Sequence, residues 1–182
     1  MNKNVISKCL GFMVIVALWT PVQAATDLSL FAGWVNTGSI DASGFPEVDF
    51  ENFGMVGVRY EKSFLFFGLE NNLTYYPETV VASTEPEGDG GVSYSGNLVI
   101  NFPIVGVTPF FTVGLGLLHK FGASAPDFGT SFQTNYGMGI KIRNLAGPLG
   151  VRGDFRRFTL HDVFNGENLK TNELSGGVVI SF

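Results

Sequence analysis

From residue 26 onward the chain alternates apolar and polar positions with a period of two, and shows no sustained stripe at helical spacing. The alternation breaks into eight segments, predicted as strands over 26–37, 52–61, 64–75, 92–102, 110–120, 131–143, 149–159 and 169–182. Most are near the ~9–11 residues that a tilted strand needs to cross a bilayer. The links between them alternate in length. Those at 62–63, 103–109 and 144–148 are short and carry turn formers such as Lys62, Ser63, Pro103, Pro109, Asn144, Gly147 and Pro148. Those at 38–51, 76–91, 121–130 and 160–168 are longer and polar. Short turns alternating with long loops predict an all-β fold, an eight-stranded antiparallel up-and-down transmembrane β-barrel with turns on the periplasmic side and loops outside.

The two faces of each predicted strand differ chemically. Val56, Val58 and Tyr60 alternate with Met55, Gly57, Arg59 and Glu61; Leu65, Phe67 and Leu69 with Gly68, Glu70, Asn72 and Thr74. Leu149, Val151 and Phe155 alternate with Arg152, Asp154 and Arg156. A soluble barrel turns its apolar face inward. Here Gly57, Gly68, Gly114, Gly116, Gly137, Gly139 and Gly177 share the charged face. Small residues alternating with long polar ones fill a narrow interior, so the charged face is predicted to point inward and the apolar face toward lipid. Aromatics are expected in two girdles: Tyr60, Phe64, Phe102, Phe111 and Phe182 near the turn ends, and Trp34, Tyr75, Tyr94, Phe132 and Phe155 toward the loop ends.

The first 24 residues follow another pattern. Lys3 and Lys8 precede an apolar run from Leu10 to Trp19, and Val22-Gln23-Ala24 is a small-residue cleavage site. Residues 1–24 are therefore expected to be a signal peptide cut after Ala24, with 25–182 as the barrel domain. The apolar run is short of the ~20 residues of a spanning helix. The single cysteine, Cys9, lies in this leader, so a mature chain carries neither disulfide nor thiolate metal site. Without Lys3 and Lys8, nine basic residues face 16 acidic ones, a net charge of −7. That excludes the basic face nucleic-acid binding requires.

At the other end, Ser175-x-Gly177-x-x-Ile180-x-Phe182 alternates and finishes on an aromatic residue. Together with Thr108-Pro109-Phe110-Phe111-x-x-Gly114-x-Gly116 and Tyr94-Ser95-Gly96-Asn97, this pattern makes the chain resemble the small outer-membrane β-barrels of the OmpA/OmpX-like class over essentially the whole mature length. The resemblance implies that Ser175, Gly177, Ile180 and Phe182 form the signal read by the barrel-assembly machinery. It implies outer-membrane lipid and lipopolysaccharide as surroundings. It leaves function open, because the class includes adhesins, complement-evasion proteins, structural anchors and a few lipid enzymes.

An eight-stranded barrel is just wide enough for side chains to fill. The inward charges predicted from the alternation are Arg59, Lys141, Arg143, Arg152 and Arg156 against Glu61, Glu70, Asp154 and Glu173. Unpaired charges in a narrow interior are costly, so these are expected to pair into a structural plug. The expected function is that of a non-enzymatic, monomeric barrel with a plugged polar interior, its loops serving envelope integrity or adhesion to a host or envelope protein. A small porin-like channel is the alternative, and a lipid A-modifying enzyme a remoter one.

The loops are acidic: Asp41, Glu47, Asp49 and Glu51 in the first, Glu78, Glu85, Glu87 and Asp89 in the second. A solvated surface explains them; a sharper reading has divalent cations bridging them to lipopolysaccharide phosphates. The stretch Glu85–Gly90 lacks the spacing of a calcium loop. Phe45, Phe128, Leu160, Val163 and Phe164 are expected as apolar loop residues. His119 and His161 fall near loop ends, with Asp162 and Ser131 as conceivable partners, but their spacing matches no lipid-hydrolase arrangement. No cofactor is expected, and four metal ligands are not evident.

Overall fold

The computed structural model describes residues 25–37, 53–77, 90–121, 130–164 and 167–182. The expected leader at 1–24 with its expected cut after Ala24, most of the long loops including Phe45 and Phe128, and the side chains of Asp162, Val163 and Phe164 lie outside the described residues. The strands are β1 (Ala25–Thr37), β2 (Phe53–Phe64), β3 (Phe67–Tyr76), β4 (Gly90–Asn101), β5 (Thr108–Phe121), β6 (Thr130–Ala146), β7 (Leu149–Phe164) and β8 (Glu167–Ser181). Each pairs antiparallel with its neighbour, and β1 pairs with β8, so the sheet closes as an up-and-down barrel. Closure removes the free edges that strands otherwise expose. At the seam Asp27 faces Ser181 and Leu30 faces Val178. Thr26 and Phe182 exchange both backbone hydrogen bonds at 2.9 Å.

Alternation decides which way the side chains point. On β3 exposed and buried residues alternate without a break from Phe67 to Tyr76. Leu30, Val58, Leu69, Leu98, Val113, Met138, Val151 and Val178 stand exposed on the outer wall, while Arg59, Glu61, Glu70, Lys141, Arg156 and Glu173 are buried. This inversion of the soluble pattern suits an outer wall solvated by lipid and a lumen that excludes it.

The strand limits differ from the sequence expectation at both ends of the barrel. The β2–β3 turn is Leu65-Phe66 rather than Lys62-Ser63. Ser63 still faces the lumen, where its hydroxyl donates to Glu61 at 2.7 Å, and Phe64 pairs with Phe67 before the chain reverses. Leu65 carries the turn at φ 55, in the left-handed region. The other difference lies at the loop ends, where strands run further than expected. Tyr76 and Leu160, assigned to loops by sequence, are strand residues buried in the lumen. An inward apolar side chain loses the polar contrast that marks a strand, so the alternation fades from the sequence before the strand ends.

Candidate functional site

The lumen is the site that the barrel builds. All nine charges singled out from sequence project into it, from β2, β3, β6, β7 and β8, and only Arg143 is open toward the turn end, with its side chain 21% exposed. The network has two centres. In the middle of the barrel, Arg152 reaches Glu70 at 2.6 Å and clamps Asp154 through Nε and Nη2, both at 2.9 Å. Arg59 approaches from the opposite wall, donating to Asp154 at 3.0 Å, Glu173 at 2.8 Å and Ser175 at 3.1 Å. Arg156 completes this centre through Asp154 at 2.9 Å. Its Nη1 lies 2.8 Å from Glu70 but off the hydrogen-bonding direction, so that contact is one of charge. Nearer the turns, Lys141 donates to Glu61 and, at 3.2 Å, to Asn101 Oδ1, while Arg152 bridges the two centres through Glu61 at 3.4 Å.

The sequence reading missed Asp27. Its carboxylate receives Arg143 at 2.5 Å and Ser181 at 2.7 Å, and lies 3.5 Å from Lys141. With it the network holds five acids against five bases. A signal was available: residue 27 shares the inward parity of Ser29 and Gly33, and the expected interior set was one negative charge short. Balance matters because each buried ion otherwise keeps a desolvation cost of several kcal/mol, roughly, that only paired and hydrogen-bonded partners offset.

The expected polar interior occupies only part of the lumen. The loop half of the lumen holds Phe31, Val35, Met55, Tyr76, Leu118, Phe158, Leu160 and Leu169 as one buried apolar cluster. The physical reason is that the loop half contributes few inward charges with partners in reach, and a dry apolar fill leaves no polar group unsatisfied. The two halves meet where the Arg59 guanidinium lies 3.6 Å from the centre of the Phe31 ring. Gly57 permits that contact, since a Cβ there would overlap both the Phe31 ring and the Leu73 carbonyl. Phe110 does similar work lower down, with Arg152 4.5 Å and Lys141 5.0 Å from its ring. Around this junction Ser29 Oγ, Arg59 Nε, Asn72 Nδ2 and Glu173 Oε2 have no hydrogen-bond partner among the described residues.

The histidines do not join the lumen. His119 shares a hydrogen bond with Thr130 at 3.2 Å, and His161 shares one with Thr134 at 3.1 Å while packing against Phe132. Both stand on the outward parity, whereas Ser131 has the inward parity of Gln133 and Asn135, so the wall separates it from His161. Among the described residues, no group of three or more His, Cys, Asp or Glu is placed to hold a metal.

A closed eight-stranded barrel with an apolar outer wall and a polar-lined lumen defines the small outer-membrane barrels. The chain belongs to the outer membrane protein beta-barrel domain family, whose model matches residues 10–182, and it is a bacterial outer-membrane protein. Among solved structures it is similar to Neisserial surface protein A (NspA), with 14% identity and a TM-score of 0.66, covering 88% of this chain and 100% of that one. It is also similar to Ail, the attachment invasion locus protein of Yersinia pestis, in complex with the heparin analogue sucrose octasulfate (13% identity, TM-score 0.50, 87% and 99% covered). A third similar structure is the outer membrane enzyme PagL (16%, 0.51, 85% and 98%). At such identities the likeness is one of fold, and a fold shared by an attachment protein and an enzyme does not assign function. A search of curated proteins finds no match.

Proposed function

We propose that the protein is a non-enzymatic, non-conducting monomeric barrel that carries its loops at the cell surface as contact elements and reinforces the outer membrane. The observation that carries this reading is the filled lumen: a balanced ten-charge network toward the turns and an apolar cluster toward the loops. A barrel of this width needs no more to close it. The separation of His161 from Ser131 by the sheet supports the non-enzymatic part.

The loops are the remaining candidates for function. Nine of the 16 acidic residues fall in the long connections between strands, and the ten-charge network in the lumen is neutral in sum, so the chain's acidity is concentrated in those connections. The chemistry this selects is a cationic host or envelope surface. A sulfated polyanion of the kind bound by Ail would meet like charge here. Ser175, Gly177, Ile180 and Phe182 serve, on this reading, as the signal for the barrel-assembly machinery, and cleavage after Ala24 releases the barrel.

Planar-bilayer recording of the refolded chain tests the central claim. The expected record is free of steady single-channel steps; reproducible steps from the wild-type protein would establish the porin-like alternative instead.

A further inference from the structure

The outer wall carries very few charges, and their distribution is uneven. Among the described side chains all five acids face the lumen, and the outward-facing charges are Lys62, Arg157 and Lys170. Lys62 is at the turn end. Arg157 and Lys170 lie on neighbouring strands in the loop half, Arg157 opposite Asn172 and Lys170 opposite Thr159, one diagonal step apart. Thr134, opposite Thr159 on β6, and His161 with its bond to Thr134 complete a polar surface across three strands. Neither Arg157 nor Lys170 has a carboxylate at ion-pair distance among the described residues.

Height locates this surface. Below it the outer wall of β7 and β8 is apolar without interruption: Phe155, Val151 and Leu149 on one strand, Leu174, Val178 and Ile180 on the other. About ten residues of tilted strand cross the hydrocarbon, so counting from the turn at Leu149 brings the chain to residues 157–161 at the level of the outer headgroups. On β1–β4 the described outward-facing residues carry no charge except Lys62 at the turn end, and an apolar groove of about 410 Å³ lies among Leu30, Val56, Val58, Leu73, Tyr75 and Val92. The basic surface is thus a local feature of β6–β8.

We infer that Arg157 and Lys170, flanked by Thr134, Thr159, His161 and Asn172, form a binding site for a phosphorylated glycolipid of the outer leaflet, namely the phosphate-bearing disaccharide of lipopolysaccharide. Arginine offers a planar fork that matches phosphate oxygens, lysine adds a point charge, and the hydroxyl and amide groups supply hydrogen bonds to sugar. The acyl chains of the same molecule lie along the apolar wall beneath. The site rests on the outer-membrane placement alone and stands whether or not the lumen conducts.

The test uses the full mature barrel refolded in phosphatidylcholine vesicles and titrated with lipopolysaccharide, with dephosphorylated lipopolysaccharide and with phosphatidylglycerol. Heat-modifiable gel migration verifies that each variant is folded. The expected result is that Arg157→Gln/Lys170→Gln weakens binding of phosphorylated lipopolysaccharide about tenfold or more, while Lys62→Gln, which removes the same charge from the other end, leaves it unchanged. Dephosphorylated lipopolysaccharide is expected to bind as weakly to wild type as the phosphorylated form does to the double variant. Arg157→Lys/Lys170→Arg is expected to retain most of the affinity, which separates loss of the site from a general disturbance of the wall. Equal binding by wild type and double variant, as pairing of these cations with loop carboxylates would produce, would overturn the proposal. Equal affinity for phosphatidylglycerol would do the same, by showing a general attraction to anionic lipid.

Discussion

Toward the turns, the lumen is filled by ten charged side chains that neutralise one another; toward the loops, it is filled by Phe31, Val35, Met55, Leu118, Phe158 and their neighbours. Both halves line the same cylinder, yet they are expected to fail in different ways. The charged half depends on completeness: its stability falls sharply when one member is lost, because the partners stay buried without compensation. The apolar half depends on volume, and its members are individually replaceable at the cost of the space they leave.

Three substitutions sharpen this contrast, in order of decreasing effect. Arg152→Ala removes the residue that touches Glu61, Glu70 and Asp154 together. A loss of about 3–5 kcal/mol is expected in urea unfolding of the refolded barrel in vesicles, and adding Glu70→Gln should restore part of it by returning the lumen to neutrality. A second substitution that deepened the loss additively would show that packing, not charge balance, governs this half. Met55→Ala in the apolar half is expected to cost about 2–5 kcal/mol, with no recovery from any charge substitution below the junction. Independence of the two sites, measured as an additive double mutant with Arg152→Ala, would mark the halves as separate units. The smallest effect belongs to the β6–β7 end. Asn144 holds φ 57 next to the register shift between Ile142 and Ala146, and Asn144→Val should cost about 1–2 kcal/mol because a β-branched residue resists that conformation. Unchanged unfolding would mean that the turn can relax.

The same contrast explains what was legible in the sequence. On β3 and in the turn half of β7, outward Leu69, Leu73 and Val151 alternate with inward Glu70, Asn72 and Arg152, and strand, face and lumen charge are all readable from spacing. In the loop half both faces are apolar: Trp34 points out while Phe31 and Val35 point in, and Leu117 points out while Leu118 points in. Period-two contrast vanishes there, so spacing alone marks neither the apolar cluster nor Tyr76 and Leu160 as inward strand residues. Asp27 is unmarked for a different reason. It stands at the start of β1, close to the expected cleavage site, where the strand pattern has only begun. Its partners Arg143 and Ser181 are 116 and 154 residues away, and no local window connects them. The outward cations Arg157 and Lys170 were visible as residues, but only the register of β7 with β8 shows that they are neighbours.

Asp27 also bears on how the barrel is put together. If β1 slipped by one residue against β8, every side chain would change face, and the lipid wall itself would reject the error. If it slipped by two, the apolar and polar faces would be preserved, and hydrophobicity would not tell the wrong pairing from the right one. Point interactions distinguish them, among them the close approach of Gly177 to Phe31 and the pairing of Asp27, which would then face Val179 in place of Ser181 and would be carried away from Arg143. The first strand thus carries a carboxylate whose partner Ser181 stands on the last strand, and the observed register is the one that brings them together.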